Sequence, residues 1–159
     1  MKNKIKIKCK NLNNLNKLIF SGFKSYSINY TSQAMIASLY LKLRNNSILN
    51  IYSETYDIGP WDELGYLVFE IISVEKTDVN FVKLDKKWLN IDKIEKLIYE
   101  DEDISIESGL VIKTGDEELI IVSSVMPYNL ELKAKFLDLE FKPECYINRY
   151  ERVNFKIER

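Results

Sequence analysis

Apolar and polar residues alternate over several stretches of the chain, and this period of two predicts a sheet. Residues 4–10 alternate lysines with Ile5, Ile7 and Cys9, which predicts a strand with one lysine face. Two longer stretches alternate on both sides of Asn45-Asn46 and Gly115-Asp116, residues that favour the conformations of tight hairpin turns. We therefore expect hairpins over residues 39–53 and 104–126, with further strands near 24–30, 65–74 and 129–136.

Helical spacing occurs in two other segments. After Asn11, a suitable N-cap, leucine and isoleucine recur every three or four residues up to Gly22, which predicts a helix over residues 11–20. The stripe from Trp88 to Ile98 has the same spacing and predicts a second helix over residues 88–99. The expected fold is therefore a single α+β domain, residues 1–159, with a mainly antiparallel sheet and two helices.

Composition supports a compact globular chain, since 46% of residues are hydrophobic and there are only five glycines and three prolines. No apolar run approaches the ~18 residues that cross a bilayer, and the basic start lacks the apolar core of a signal peptide. We therefore expect a cytoplasmic protein with no membrane partner. Cys9 and Cys145 are expected to be buried free thiols.

The charges are sorted along the chain. Residues 1–53 hold nine Lys/Arg and no acid, so the remaining 14 of the 23 Lys/Arg face all 24 acids in residues 54–159. The formal net charge of −1 is therefore the sum of about +9 in residues 1–53 and about −10 in residues 54–159. Such a distribution favours binding through polar surfaces.

The sequence gives little support for an enzyme or a cofactor. The absence of histidine excludes Ser-His and Cys-His nucleophilic pairs and His-ligated zinc. Ser21-x-x-Lys24 matches the first motif of serine β-lactamases, but Ser27, in the second motif, follows far too soon. Acid-x-Lys pairs of the metal-nuclease kind occur about as often as chance predicts.

A metal site is not expected either. Asp101, Asp103, Ser105 and Glu107 alternate as in a calcium loop, but Ile106 stands where such a loop requires glycine. We therefore predict that these acids cap the end of the second helix and point into water.

The loop over residues 56–63 is the strongest candidate for a binding surface. It surrounds a Gly-Pro pair with two aromatic residues and three acids, namely Tyr56, Asp57, Trp61, Asp62 and Glu63. Aromatic and charged residues on a loop are typical of binding hot spots. The alternative interpretation is that Trp61 packs into the core and the acids are only solvated.

Several motifs of residues 38–155 carry a resemblance to a known group. They include Asp62-Glu63-x-Gly65, Glu107-Ser108-Gly109, Pro127-Tyr128 and Phe141-x-Pro143-Glu144. In these motifs the chain resembles small bacterial immunity proteins of contact-dependent growth inhibition and polymorphic toxin systems. The resemblance implies a non-catalytic protein that occludes a cognate protein toxin.

On this interpretation the predicted toxin contacts are Tyr56, Asp57, Trp61, Asp62, Glu63, Asp101 and Asp103. The acids of residues 116–118 form a further cluster that suits the same role. An acidic inhibitor associates quickly with the basic cleft of a toxin that attacks nucleic acid. One alternative is a nucleic-acid-binding module that uses the lysines of residues 2–10 and Lys17. A small enzyme of unknown class is the other.

Overall fold

The structure is a computed structural model that describes residues 2–57, 63–73, 79–124, 129–143 and 146–155. Within these ranges the chain is mostly β, and its sheet curls into a half-barrel. Its strands, in chain order, are β1 (Asn3–Ile5), β2 (Lys8–Lys10), β3 (Phe23–Tyr30), β4 (Ile36–Leu43), β5 (Ile48–Asp57), β6 (Glu63–Ile72), β7 (Val82–Lys83), β8 (Lys93–Glu100), β9 (Ile104–Thr114), β10 (Glu117–Ser123), β11 (Leu130–Lys133) and β12 (Glu151–Asn154). Helix α1 (Leu15–Phe20) and two 3₁₀ turns, Lys86–Leu89 and Ile147–Arg149, complete the described elements.

The order of strands across the sheet is β12-β8-β9-β10-β11-β4-β5-β6-β2, with β3 beside β4, β7 beside β3 and β1 beside β9. Most neighbours are antiparallel, but β1 pairs with β9 and β2 pairs with β6 in parallel. The N-terminal segment, expected as one strand, is thus two short strands that join distant parts of the sheet. Both expected hairpins are present, as β4–β5 and β9–β10.

The predicted α+β class with two helices is wrong, because α1 is the one α-helix in the described ranges. The segment 88–99 forms the end of a 3₁₀ turn followed by β8. Its apolar residues cover both faces of a strand: Ile94 packs in the main core and Leu97 in a second cluster on the other face. In a strand that is buried on both faces, apolar residues can also recur every three or four positions, as they do in a helix. The sequence pattern therefore fits either a helix or a strand, and tertiary packing decides which one forms.

The first predicted helix is present but shorter, since α1 begins at Leu15 and not near residue 11. Asn14 precedes it in a left-handed conformation, with φ of 54°, and makes no side-chain capping bond. Gly22 follows the helix with φ of +88°, as expected for a glycine that ends a helix.

The main core fills the inner face of the half-barrel. Trp88 is 1% exposed, and its ring lies 5.4 Å from the rings of both Phe23 and Phe136.

None of the helices in the described residues is long and apolar enough to span a membrane. Cys9 is a free thiol as expected, but it is exposed and not buried, because β2 pairs with β6 alone at that end of the sheet order. Cys145 lies outside the described residues.

Candidate interaction surface

Strand directions bring the two predicted acidic segments to the same end of the sheet. β1 runs parallel to β9 from the pair Asn3↔Ile104, and β2 runs parallel to β6. The Ser108 hydroxyl donates to the Gly65 carbonyl at 2.8 Å, which places the start of β6 directly against β9. The β5–β6 connection and the β8–β9 turn therefore lie at one end of the half-barrel, on either side of the N-terminal segment.

Only part of the predicted loop can be placed. Tyr56 and Asp57 end β5, where they pair with Leu64 and Glu63 of β6. Tyr56 is half-buried and Asp57 is exposed. Trp61 and Asp62 lie outside the described residues, as does the side chain of Glu63.

In the β8–β9 turn, Asp101 has a structural role. Its Oδ1 accepts hydrogen bonds from the N–H groups of Asp103 at 2.8 Å and Ile104 at 2.9 Å. The Asp103 side chain is exposed, and its carbonyl accepts from the Asn3 N–H at 3.0 Å. These acids stand in a strand–strand turn and not at the end of a helix as expected, and in this turn Asp103 is exposed while Asp101 holds the shape of the backbone.

A groove that the sequence did not indicate opens at the same end. It consists of two adjoining depressions of about 330 and 250 Å³ that share Tyr30 and Leu139. Tyr30 is 49% exposed. Glu131 and Glu140 line the smaller depression, and burial, reinforced by Glu140, raises the pKa of the Glu131 carboxyl. We call the exposed carboxylates of Asp57 and residues 100–103, together with this groove, the acidic end.

The third predicted acidic cluster lies elsewhere. Residues 116–118 stand in and beside the β9–β10 turn, at the opposite end of these strands from the β8–β9 turn. Glu118 faces Arg152 at 3.3 Å, and Glu117 forms an ion pair with Lys87. Two of the three acidic clusters therefore lie at one end of the sheet, and the third lies at the opposite end.

The N-terminal lysines are partly neutralised. Lys8 and Lys10 lie 3.6 and 3.7 Å from Glu54, and the Lys10 ammonium donates to the Tyr52 hydroxyl at 2.8 Å. The Tyr66 hydroxyl donates to Glu54 at 2.7 Å, and this bond, followed by the two lysines, holds the pKa of the Glu54 carboxyl below its ordinary value. The charges that are separated along the sequence thus meet across the sheet.

Two glutamates are buried: Glu107, for which the prediction that it points into water is wrong, and Glu95, which the sequence reasoning missed. Glu107 accepts from the Ile7 N–H at 2.8 Å and forms an ion pair with Lys96 at 2.8 Å. Glu95 is 7% exposed, and its nearest cation is Lys113 at 3.0 Å. A charged residue within an otherwise apolar strand is the signal that marks such positions. Both glutamates have lysine partners, so their arrangement fits a structural role.

Neither a set of metal ligands within the part of the chain that the structure describes nor a match to a known protein assigns a role to these contacts. Among the described residues, no group of three or more His, Cys, Asp or Glu side chains has the arrangement of a metal site. None of the family models, curated proteins and solved structures with which the chain was compared matches it. The resemblance to immunity proteins therefore stays a prediction based on sequence motifs.

Proposed function

We propose that the chain is a non-catalytic immunity protein that acts in the cytoplasm and neutralises a cognate toxin domain by binding it through the acidic end. The observation that carries the proposal is the meeting of two acidic segments, which are about 40 residues apart in sequence, at one end of the sheet. The motif resemblance supplies the class of partner.

Electrostatics supports this assignment. Clustered charges of one sign steer a partner of the opposite sign and raise association rates by ~10- to 1,000-fold at low salt. A toxin that attacks nucleic acid needs a basic cleft, and the acidic end offers the complementary charge. Tyr30 and Tyr56 add aromatic surface of the kind that forms hot spots.

The alternative, a nucleic-acid-binding module based on the N-terminal lysines, has weaker support. Lys8 and Lys10 already face Glu54, and Lys2 lies 3.7 Å from Glu100. Each of these contacts lowers the positive charge available to a phosphate backbone. An electrophoretic mobility shift with DNA and RNA at low salt tests this alternative directly.

The experiment for the proposed function begins with the gene immediately upstream of this chain's gene. If that gene encodes a large secreted protein, the C-terminal domain of that protein is the partner used. Association with that domain is measured at 20 and at about 150 mM salt, near the range where screening becomes strong. Wild type is compared with a variant carrying Asp57→Lys and Asp103→Lys. We expect the double charge reversal to slow association at least ~10-fold at low salt, with a smaller effect at high salt.

Asp116→Lys is the matched control, because Asp116 is exposed like the other two residues but lies in the β9–β10 turn at the opposite end. Its association rate is expected to stay within about twofold of wild type. The control changes the net charge half as much as the double variant. Slowing by the control that reaches half the effect of the double variant on a logarithmic scale would therefore mean that net charge, and not the acidic end, governs binding. An unchanged rate for the double variant would remove the acidic end from the interface.

A further inference from the structure

A depression at the end opposite the acidic end has basic walls. It lies between α1 and the turn that joins β4 to β5, and its volume is about 500 Å³. The residues that matter for its chemistry are Asn13, Asn14, Lys17, Leu18, Arg44 and Asn45. No carboxylate is among the described residues that line it.

Arg44 is fixed in place by backbone carbonyls. Its Nε–H donates to the Ser21 carbonyl at 3.0 Å, and its Nη2 donates to the Leu89 carbonyl at 2.7 Å. A guanidinium has five N–H donors, so three of them have no acceptor among the described residues. A cation held in one orientation loses little conformational freedom when it binds an anion, because most of that cost is already met by folding.

Gly22 explains how the Leu89 carbonyl reaches Arg44. A Cβ at position 22 would lie 2.6 Å from both the Leu89 Cα and its carbonyl oxygen. The absence of a side chain therefore lets the 3₁₀ turn Lys86–Leu89 pack against the end of α1. The Arg44 N–H also donates to the Gly22 carbonyl at 3.1 Å, so three segments of the chain meet at this arginine.

The charges in the depression are uncompensated. Lys8, Lys10 and Lys96 each lie within 4 Å of a carboxylate, as their ion pairs show. Lys17 and Arg44, by contrast, form no ion pair within the described part of the chain. Two cations that share a concave surface without an acid attract an anion from solution.

The neighbouring side chains define the kind of anion. A guanidinium fork beside a lysine suits phosphate oxygens, which accept several charge-assisted hydrogen bonds at once. Asn14 makes no capping bond, and the Asn45 Oδ1 accepts from the Ser47 N–H, which leaves its amide N–H groups free to donate. Leu18 supplies apolar surface, and ~500 Å³ falls in the range of small-molecule sites, well beyond the needs of an inorganic ion.

We propose that this depression binds a small phosphate monoester of about mononucleotide size, with the phosphate between Lys17 and Arg44. The asparagine amides and Leu18 contact the remainder of the ligand. This site is separate from the acidic end, so it is independent of toxin binding and can be tested without a toxin.

The test uses the full chain, labelled with ¹⁵N, and three probes: adenosine 5′-monophosphate, adenosine and inorganic phosphate. Adenosine 5′-monophosphate is expected to shift amide resonances of residues 13–21 and 44–47 at millimolar concentration, a typical range for a small polar ligand. Adenosine is expected to leave those resonances in place. Inorganic phosphate is expected to perturb the same residues with an affinity at least ~10-fold lower, since it lacks the contacts to the amides and to Leu18.

Two variants locate the phosphate. Lys17→Glu should weaken the binding of adenosine 5′-monophosphate at least ~10-fold, the loss expected for one charge-assisted hydrogen bond. Arg44→Lys keeps the charge but not the fork, and should weaken binding similarly. Lys83→Glu is the matched control, because Lys83 is exposed in β7 outside the depression. The affinity of this variant for adenosine 5′-monophosphate should stay within about twofold of wild type. Circular dichroism confirms that each variant is folded.

Any of four results would overturn the proposal. One is binding of adenosine as tight as that of its monophosphate. Another is equal weakening by Lys83→Glu and Lys17→Glu. The third is the absence of shifts at residues 13–21 and 44–47. The last concerns a single-stranded 12-mer oligonucleotide. If it bound ~100-fold more tightly than the monophosphate, and if Lys83→Glu weakened that binding, the ligand would be an extended polyanion bound across a wider surface and not a monoester in the depression.

Discussion

Replacing Gly65 with alanine tests how closely β6 packs across the curled sheet onto β10. A methyl group at position 65 would overlap Ser123 Oγ and come within 2.7 Å of Ser123 Cβ. Ser123 is 2% exposed, so its side chain is enclosed by other residues and cannot turn out into solvent. β6 is also held in place, because the Gly65 carbonyl accepts a hydrogen bond from the Ser108 hydroxyl of β9 at 2.8 Å.

The magnitude follows from these two contacts. Adding a methyl group to a closely packed site costs about 1–3 kcal/mol in the free energy of unfolding. A shift of β6 that relieved the clash would also weaken the Ser108–Gly65 bond, which contributes about 1 kcal/mol. The expected loss is therefore about 2–4 kcal/mol. For a chain of this size it corresponds to a fall in Tm of about 5–15 °C.

Urea unfolding followed by circular dichroism measures this loss, and a double-mutant cycle assigns it. Ser123 Oγ is buried and has no hydrogen-bond partner among the described residues. Ser123→Ala alone should therefore be neutral or stabilising by up to ~2 kcal/mol. In the Gly65→Ala background, Ser123→Ala should recover part of the lost stability, and Ser123→Gly should give more room because it also removes the Cβ.

Gly115→Ala is the control, since nothing lies within 4 Å of a Cβ at that position. Its φ of +57° gives it a backbone cost of about 1 kcal/mol and no clash. If Gly65→Ala cost no more than Gly115→Ala, or if no substitution of Ser123 recovered stability, the proposed contact between β6 and β10 would be refuted.

Three further predictions concern other parts of the fold. Trp88→Ala should lower the free energy of unfolding by about 3–5 kcal/mol, because the ring is fully buried against Phe23; a loss below ~1 kcal/mol in urea unfolding would contradict this packing. Burial disfavours the charged form of Glu95, but Lys113 and the neighbouring cations outweigh it and lower the pKa of its carboxyl below 4.5. Glu95→Gln should therefore lower the free energy of unfolding by ~1–2 kcal/mol above about pH 5. This difference from wild type should vanish as pH falls through the lowered pKa of the folded state. If the stabilities of wild type and variant ran parallel down to about pH 2, the ion pairs would not be the source of the difference. Asp101→Ala should release the amides of the β8–β9 turn to faster hydrogen exchange, with a loss of about 1 kcal/mol, whereas Asp101→Asn should retain most of the protection.

The local parts of the fold were predictable from the sequence. Asn45-Asn46 and Gly115-Asp116 do mark the turns of two hairpins, because turn chemistry acts over a few residues. The segment 88–99 was mistaken for a helix because Ile94 and Leu97 are buried on opposite faces of β8, and no local pattern shows that both faces are covered.

The candidate surface could be predicted only in part. Asp57 and Asp103 were identified from clustering of acids, but their meeting at one end depends on the parallel pairing of β1 with β9 and of β2 with β6. Pairings between such distant residues leave no periodic signal. Arg44 was missed for the same reason, since its role depends on the carbonyls of Ser21 and Leu89.

The pairing of the N-terminal segment also has a consequence for how the chain folds. The partners of Asn3 and Lys8 are Ile104 and Val68, which lie 101 and 60 positions further along the chain. Closing such long loops is slow, and each of these strands gains only three residues of pairing once it docks. Residues 3–10 should therefore join the sheet last during refolding and leave it first during unfolding. A late phase in the refolding kinetics, whose rate changes only with substitutions in β1 or β2, would report on this step.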